Sequence, residues 1–189
     1  RGMTLEVGLI GAGRIGHFIG LNLLKAGFRL HVTDLHKSAA GELLEQGAYW
    51  HESPAFIAET SQYILLSLFD SNDVADVLSG TQGICHRDLT GKTIIDTTTV
   101  PPADARDYAA RVAAQNGRYL DAPITGGEGG AQQGTLTIMV GGDADAFAAC
   151  EAVFTVIGEQ IIYLGESGAG QFVKMANQGI MVTTFVSIV

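Results

Sequence analysis

The chain has 189 residues, 47% of them hydrophobic, with 25 glycines and 4 prolines. That is enough to bury a core for one domain or one domain and the start of a second, and it excludes a disordered segment. The formal net charge is −9 and the pI about 4.8; the 11 Lys and Arg residues are scattered along the sequence, which argues against a nucleic-acid partner, since binding to a phosphate backbone needs clustered cations.

In chain order, Leu5 to Ile10 is a short apolar run bounded by glycine, the pattern of a buried parallel strand. From Arg14 to Lys25 the residues Ile15, Phe18, Ile19, Leu23 and Leu24 recur at helical spacing, and Gly27 is placed to end that helix. Arg29 to Thr33 reads as a second strand and Lys37 to Gln46 as a second helix. Gln62 to Leu68 reads as another central strand, followed by a helix from Asn72 to Leu78. Lys92 to Asp96 is the next strand, and Pro101-Pro102 opens an alanine-rich helix to Asn116, proline being favoured in a helix's first turn. Tyr119 to Asp121 leads into a glycine-interrupted region. Thr135 to Val140 is a β-branched strand, Asp143 caps a helix over Ala144 to Phe154, and Ile161 to Leu164 is a last strand.

This alternation predicts an α/β fold with a doubly wound, mostly parallel sheet. From Ala169 to Val189 the sequence reads as one helix with apolar Phe172, Met175, Ala176, Met181, Val182, Phe185, Val186 and Val189. It reaches Val189 without a cap or charged tail, so the helix is expected to continue beyond this chain. Arg1-Gly2 ahead of Met3 is read as the remnant of a removed tag. No run approaches the roughly 20 apolar residues of a membrane span, and a basic-then-apolar leader is not evident. Cys85 and Cys150 have no metal-like or redox-like spacing. A cytoplasmic location with reduced thiols and no metal is expected.

Gly11-Ala12-Gly13-Arg14-Ile15-Gly16 is a G-x-G-x-x-G turn between a strand and a helix. Gly11 makes the tight turn, Gly13 leaves room for a pyrophosphate, and Gly16 lets the helix approach the strand. The helix N-terminus presents N–H groups to the phosphates. Asp34, at the end of the second strand, is the acidic residue that accepts hydrogen bonds from ribose hydroxyls and repels a 2′-phosphate. With His36 and Lys37 nearby as opposing influences, NAD is preferred over NADP.

Asp121 to Gly127 (DAPITGG) is a polar turn after a strand, where open α/β sheets bind ligands. Thr125 offers a hydroxyl and Gly126-Gly127 offer backbone N–H groups suited to a carboxylate; a plain turn is the alternative. Lys174 is the only Lys or Arg after Arg118, in an otherwise apolar helix, with Asn177 and Gln178 at helical spacing. Partial burial lowers a lysine's pKa and makes it a usable proton donor or acceptor; a lysine snorkelling to the surface is the alternative.

GLIGAGRIG at Gly8 to Gly16, DAPITGG, GTLTIMVGG at Gly134 to Gly142, and GAGQFVKMANQ at Gly168 to Gln178 together resemble the β-hydroxyacid dehydrogenases. The group includes 3-hydroxyisobutyrate dehydrogenase and tartronate semialdehyde reductase. The resemblance implies a Rossmann-type NAD(P)-binding domain over residues 1–166. It also implies the beginning, at 167–189, of a long interdomain helix leading to a dimerising helical domain. It gives Lys174 the role of general acid/base, Asn177 and Gln178 a part in holding substrate, and Thr125 a place usually held by serine. Thr99, in Asp96-Thr97-Thr98-Thr99, should lie near the nicotinamide ribose. Leu68-Phe69-Asp70 should form the loop over the adenosine side, with Phe69 where proline is common. The implied partner is a small hydroxyacid substrate, with a homo-oligomer formed through the helical domain. The 6-phosphogluconate dehydrogenases share the fold and the lysine but have histidine at the place of Asn177 and use NADP. Imine reductases usually replace the lysine. A non-catalytic NAD-binding module is the alternative outside enzymes.

Overall fold

The computed structural model describes residues 5–187, with side chains described through Ile180. Arg1 to Met3 and the side chains of Met181, Val182, Phe185, Val186 and Val189, singled out above, lie outside the described residues. The first half runs β1 (Glu6–Ile10), α1 (Arg14–Lys25), β2 (Arg29–Thr33), a 3₁₀ turn (Lys37–Ala40) into α2 (Gly41–Glu45), β3 (Tyr49–Trp50), α3 (Pro54–Thr60), β4 (Tyr63–Leu66) and α4 (Ser71–Ser79). The second runs β5 (Thr93–Asp96), α5 (Pro102–Ala113), β6 (Arg118–Asp121), β7 (Ile124–Thr125), α6 (Gly127–Gln133), β8 (Leu136–Gly142), α7 (Ala144–Ala149), α8 (Glu151–Ile157), β9 (Gly158–Tyr163) and α9 (Ala169–Ser187).

The sheet order is β3-β2-β1-β4-β5-β6-β8-β7, with β9 paired to β8. Strands β1 to β6 run parallel to one another along this path. Side chains alternate between two cores, as strands buried on both faces require. Val7, Leu9, Tyr63, Leu65 and Ile95 face a layer built from Ile19 and Leu23 of α1, Leu43 of α2 and Phe154 of α8. Ile10, Ile64, Leu66 and Ile94 face Ile57 of α3, Val74 and Leu78 of α4, and Val112 of α5. Each such fully buried side chain contributes roughly 1.5–3 kcal/mol. Because β1 sits between β2 and β4, the chain reverses direction across the sheet there, and the carboxyl ends of β1 and β4 diverge to open a crevice.

Four local features differ from the sequence expectation. The helix predicted over Lys37 to Gln46 is a 3₁₀ turn followed by a five-residue helix; Gly41 at the junction is a poor interior helix residue. The two-residue β3 and the short α3 carry too little periodicity to be read in advance. The helix predicted over Ala144 to Phe154 breaks at Cys150, whose N–H is shared between the Ala146 and Phe147 carbonyls. The glycine-rich stretch after Thr125 forms α6 although its composition disfavours helix, because α1 holds it: Asn22 Nδ2 donates to the Ala131 carbonyl at 2.7 Å. β8 runs antiparallel to both β6 and β7. The Gly126–Thr135 connection is shorter than the dozen or so residues a parallel crossover requires.

Candidate active site

The crevice is built from the loops that leave β1, β2, β4 and β5. Gly11 takes φ +95°, and its N–H donates to the Thr33 carbonyl at 3.0 Å, which ties the glycine turn to the end of β2. A Cβ on Gly16 would collide with the Gly11 carbonyl oxygen, whereas a Cβ on Gly13 would meet nothing within 4 Å. Gly11 and Gly16 therefore serve the fold, and Gly13 faces open space. Asp34 completes the turn: its carboxylate accepts from the Ala12 N–H at 2.7 Å and from the His36 N–H at 2.9 Å. Lys37 Nζ lies over the Trp50 ring, 5.5 Å from its centre.

Two adjoining cavities share Gly13, Ser67, Leu68 and Phe69. One, of about 420 Å³, reaches Gly11, Thr33, Asp34 and Leu35. The other, of about 380 Å³, reaches Arg14, Ile15, Thr97, Thr98, Thr99 and Ile124. Both fall within the range of small-molecule sites. Phe69 stands 90% exposed at their common rim. The residues present fit a dinucleotide: an unobstructed glycine backbone at the neck, a carboxylate at one end and a threonine loop at the other.

Lys174 is 8% exposed and donates from Nζ to the Ile124 carbonyl at 2.7 Å. This holds the amine against the backbone of Ile124, a residue that lines the second cavity, whereas Lys174 itself and the half-buried Thr125 are not among the residues lining either cavity. Desolvation holds its pKa below the usual 10.5. Gly126 and Gly127 follow with φ +130° and +60°. Asn177 is half-buried and Gln178 exposed, further along α9 and not among the residues lining either cavity. Asp70 likewise does not line the crevice. Its carboxylate caps α4, accepting from the N–H groups of Asn72 and Asp73.

Beneath the threonine loop lies an acidic pair that motif reading did not single out. Asp96 is fully buried, accepting from Tyr119 Oη at 2.6 Å and from the Thr98 N–H at 2.9 Å. Burial lifts its pKa to about 6. Asp121 is raised in the same way, while the N–H groups of Gly168 and Gln171 at the start of α9 donate to it. Raised pKa values mean that folded Asp96 holds its proton more tightly than unfolded Asp96. Its contribution to stability is complete below about pH 3.8 and is lost as pH rises through about 6. A shift of about two units corresponds to roughly 3 kcal/mol. The melting temperature of the wild type relative to Asp96→Asn should therefore fall between about pH 4 and pH 7; a pH-independent difference would contradict the assignment.

A doubly wound sheet with a glycine turn and an acidic β2 end at its switch point defines a Rossmann-type dinucleotide-binding domain. Residues 6–165 match the family model described as the NAD binding domain of 6-phosphogluconate dehydrogenase. The chain is 40% identical over 177 residues to the 2-hydroxy-3-oxopropionate reductase of Escherichia coli, covering 94% of this chain and 60% of that protein. The structure of the 3-hydroxyisobutyrate dehydrogenase of Mycobacterium tuberculosis with L-serine is similar with a TM-score of 0.93 at 26% identity, over 98% of this chain and 63% of that one. A reductive aminase of Aspergillus terreus, in complex with NADPH and ethyl-5-oxohexanoate, reaches a TM-score of 0.85 at 25% identity, over 98% of this chain and 64% of that one. The chain belongs to the β-hydroxyacid dehydrogenase family, as its N-terminal NAD-binding domain. It spans about three-fifths of the length of these relatives. Among the described residues, no helix is long and apolar enough to cross a membrane.

Proposed function

We propose that this chain binds NAD(H) in preference to NADP(H), and that the whole protein is an oxidoreductase acting on a small β-hydroxyacid or its semialdehyde. The observation that carries the reading is the burial of Lys174, the single cation after Arg118, against Ile124 at one end of a dinucleotide-sized crevice. When bound, the nicotinamide supplies the hydride donor or acceptor. Lys174 gives or takes the proton at the substrate oxygen, and the desolvation that lowers its pKa suits both tasks. Thr125, Gly126 and Gly127 face the substrate carboxylate, with Asn177 and Gln178 contributing from α9. Thr99 serves the nicotinamide ribose, and Leu68 and Phe69 cover the adenosine side. Residues 1–166 form the nucleotide domain, and 167–189 begin a helix toward a helical domain through which the protein forms a homo-oligomer. Free Cys85 and Cys150 suit a cytoplasmic location.

Cofactor choice rests on Asp34. Asp34→Asn keeps an oxygen for the Ala12 N–H but removes the charge that opposes a 2′-phosphate. The preference for NADH over NADPH, read by calorimetry, should shrink by roughly tenfold, about 1.4 kcal/mol. An unchanged ratio would remove Asp34 from cofactor selection.

A further inference from the structure

Gln171 has no exposed surface, unusual for a glutamine in the first turn of a helix. Its side-chain amide N–H donates to the Thr98 carbonyl at 2.7 Å, and its amide oxygen accepts from the Val100 N–H at 3.1 Å. One side chain therefore closes on the peptide groups at both sides of Thr99. The backbone of Gln171 is fixed in turn, its N–H donating to Asp121 Oδ2 at 3.0 Å. One helical turn further along α9, Lys174 reaches the Ile124 carbonyl. The loop itself is held from the strand side by Thr97, whose N–H and hydroxyl both donate to the Leu66 carbonyl, and by the Thr98 hydroxyl, which accepts from the Leu68 N–H. Thr97, Thr98, Thr99 and Ile124 all line the second cavity.

We infer that Gln171 is a positioning residue: it locks the Thr98–Val100 loop to the helix that carries Lys174, and so fixes the nicotinamide end of the crevice relative to the proton-transferring amine. The inference rests on the dinucleotide reading of the site. A glutamine used only to satisfy two buried backbone groups would affect folding and all ligands alike. A positioning glutamine affects the nicotinamide end and spares the adenosine end, because Gly11 to Gly16 and Asp34 belong to other loops.

The test compares NADH with ADP-ribose, which lacks the nicotinamide, by calorimetry on the 189-residue chain. Gln171→Met fills the same length of space and bonds to neither peptide group. NADH affinity should fall by about tenfold or more, the scale of two lost hydrogen bonds, while ADP-ribose affinity stays within about twofold. Should that variant fail to fold, Gln171→Asn keeps the amide but is one methylene too short to bond both peptide groups, and the same split is expected at smaller size. Equal weakening of both ligands, or weakening of neither, overturns the inference. A wild-type chain that binds neither ligand overturns the dinucleotide reading itself, a result distinct from any difference between variants.

Discussion

Lys174→Ala should lower turnover of the complete protein by about 10²–10⁴, the usual contribution of a positioned proton-transfer group, with NADH affinity unchanged. The amine is nearly buried and bonded to the Ile124 carbonyl, and desolvation is what moves its pKa below 10.5. In the direction of alcohol oxidation the neutral amine takes the proton, so kcat/KM should rise with pH through a pKa below 10.5. The alanine variant should lose that limb of the profile. Lys174→Arg should fail as well, because a guanidinium stays protonated and cannot act as a base. Normal turnover in the alanine variant would leave Lys174 a packing residue.

The second large effect separates the fold from the ligand. Gly13→Ala places a methyl where the free chain has nothing within 4 Å, at a backbone φ of −66° that alanine adopts readily. Stability should change by less than about 1 kcal/mol, within the range of surface substitutions. The methyl would occupy the neck shared by the two cavities, where a pyrophosphate must approach the backbone. Inserting it into a space the ligand fills costs about 1–3 kcal/mol, roughly tenfold to a hundredfold in nucleotide affinity. Gly16→Ala behaves differently: its methyl meets the Gly11 carbonyl oxygen, so α1 must lift from β1 and both melting temperature and affinity should fall. Thermal melts and nucleotide titrations of the two variants check this pattern. Equal loss of stability in both would show that the glycine turn is only a packing device.

The order of these elements was legible because parallel strands buried on both faces read as plain apolar runs, and α1 as a clean 3.6-residue stripe. Elements whose identity depends on tertiary contact were not. α6 is glycine-rich and becomes helical only against α1, and β3 is too short to show alternation. The antiparallel pairing of β8 with β7 follows from the length of one connection rather than from strand composition. At the site, the glycine turn and Asp34 were readable because each is a backbone or charge requirement at a fixed spacing from a strand end. Asp70 shows the opposite case: its place in the loop after β4 is readable, but its capping of α4 needs the three-dimensional turn.

Asp96, Asp121 and Gln171 left weaker traces. An acid closing an apolar strand, as in TIID and RYLD, signals a buried carboxylate whose partners lie far along the chain. Gln171 and Lys174, three residues apart, share one face of an apolar helix, and that pairing is the sign that both are held by the nucleotide domain. The partners of Gln171, on the loop after β5, lie some seventy residues away in sequence, and that of Lys174, the Ile124 carbonyl, lies 50 away, beyond the reach of any local pattern.

The most direct test of the account is titration of NADH and NADPH against this chain, followed by fluorescence transfer from its single tryptophan, Trp50, on β3 beside β2. The account predicts that NADH binds and that NADPH binds at least about tenfold more weakly, a difference of about 1.4 kcal/mol. NADPH binding as tightly as NADH would contradict the role given to Asp34, and binding of neither would contradict the dinucleotide site.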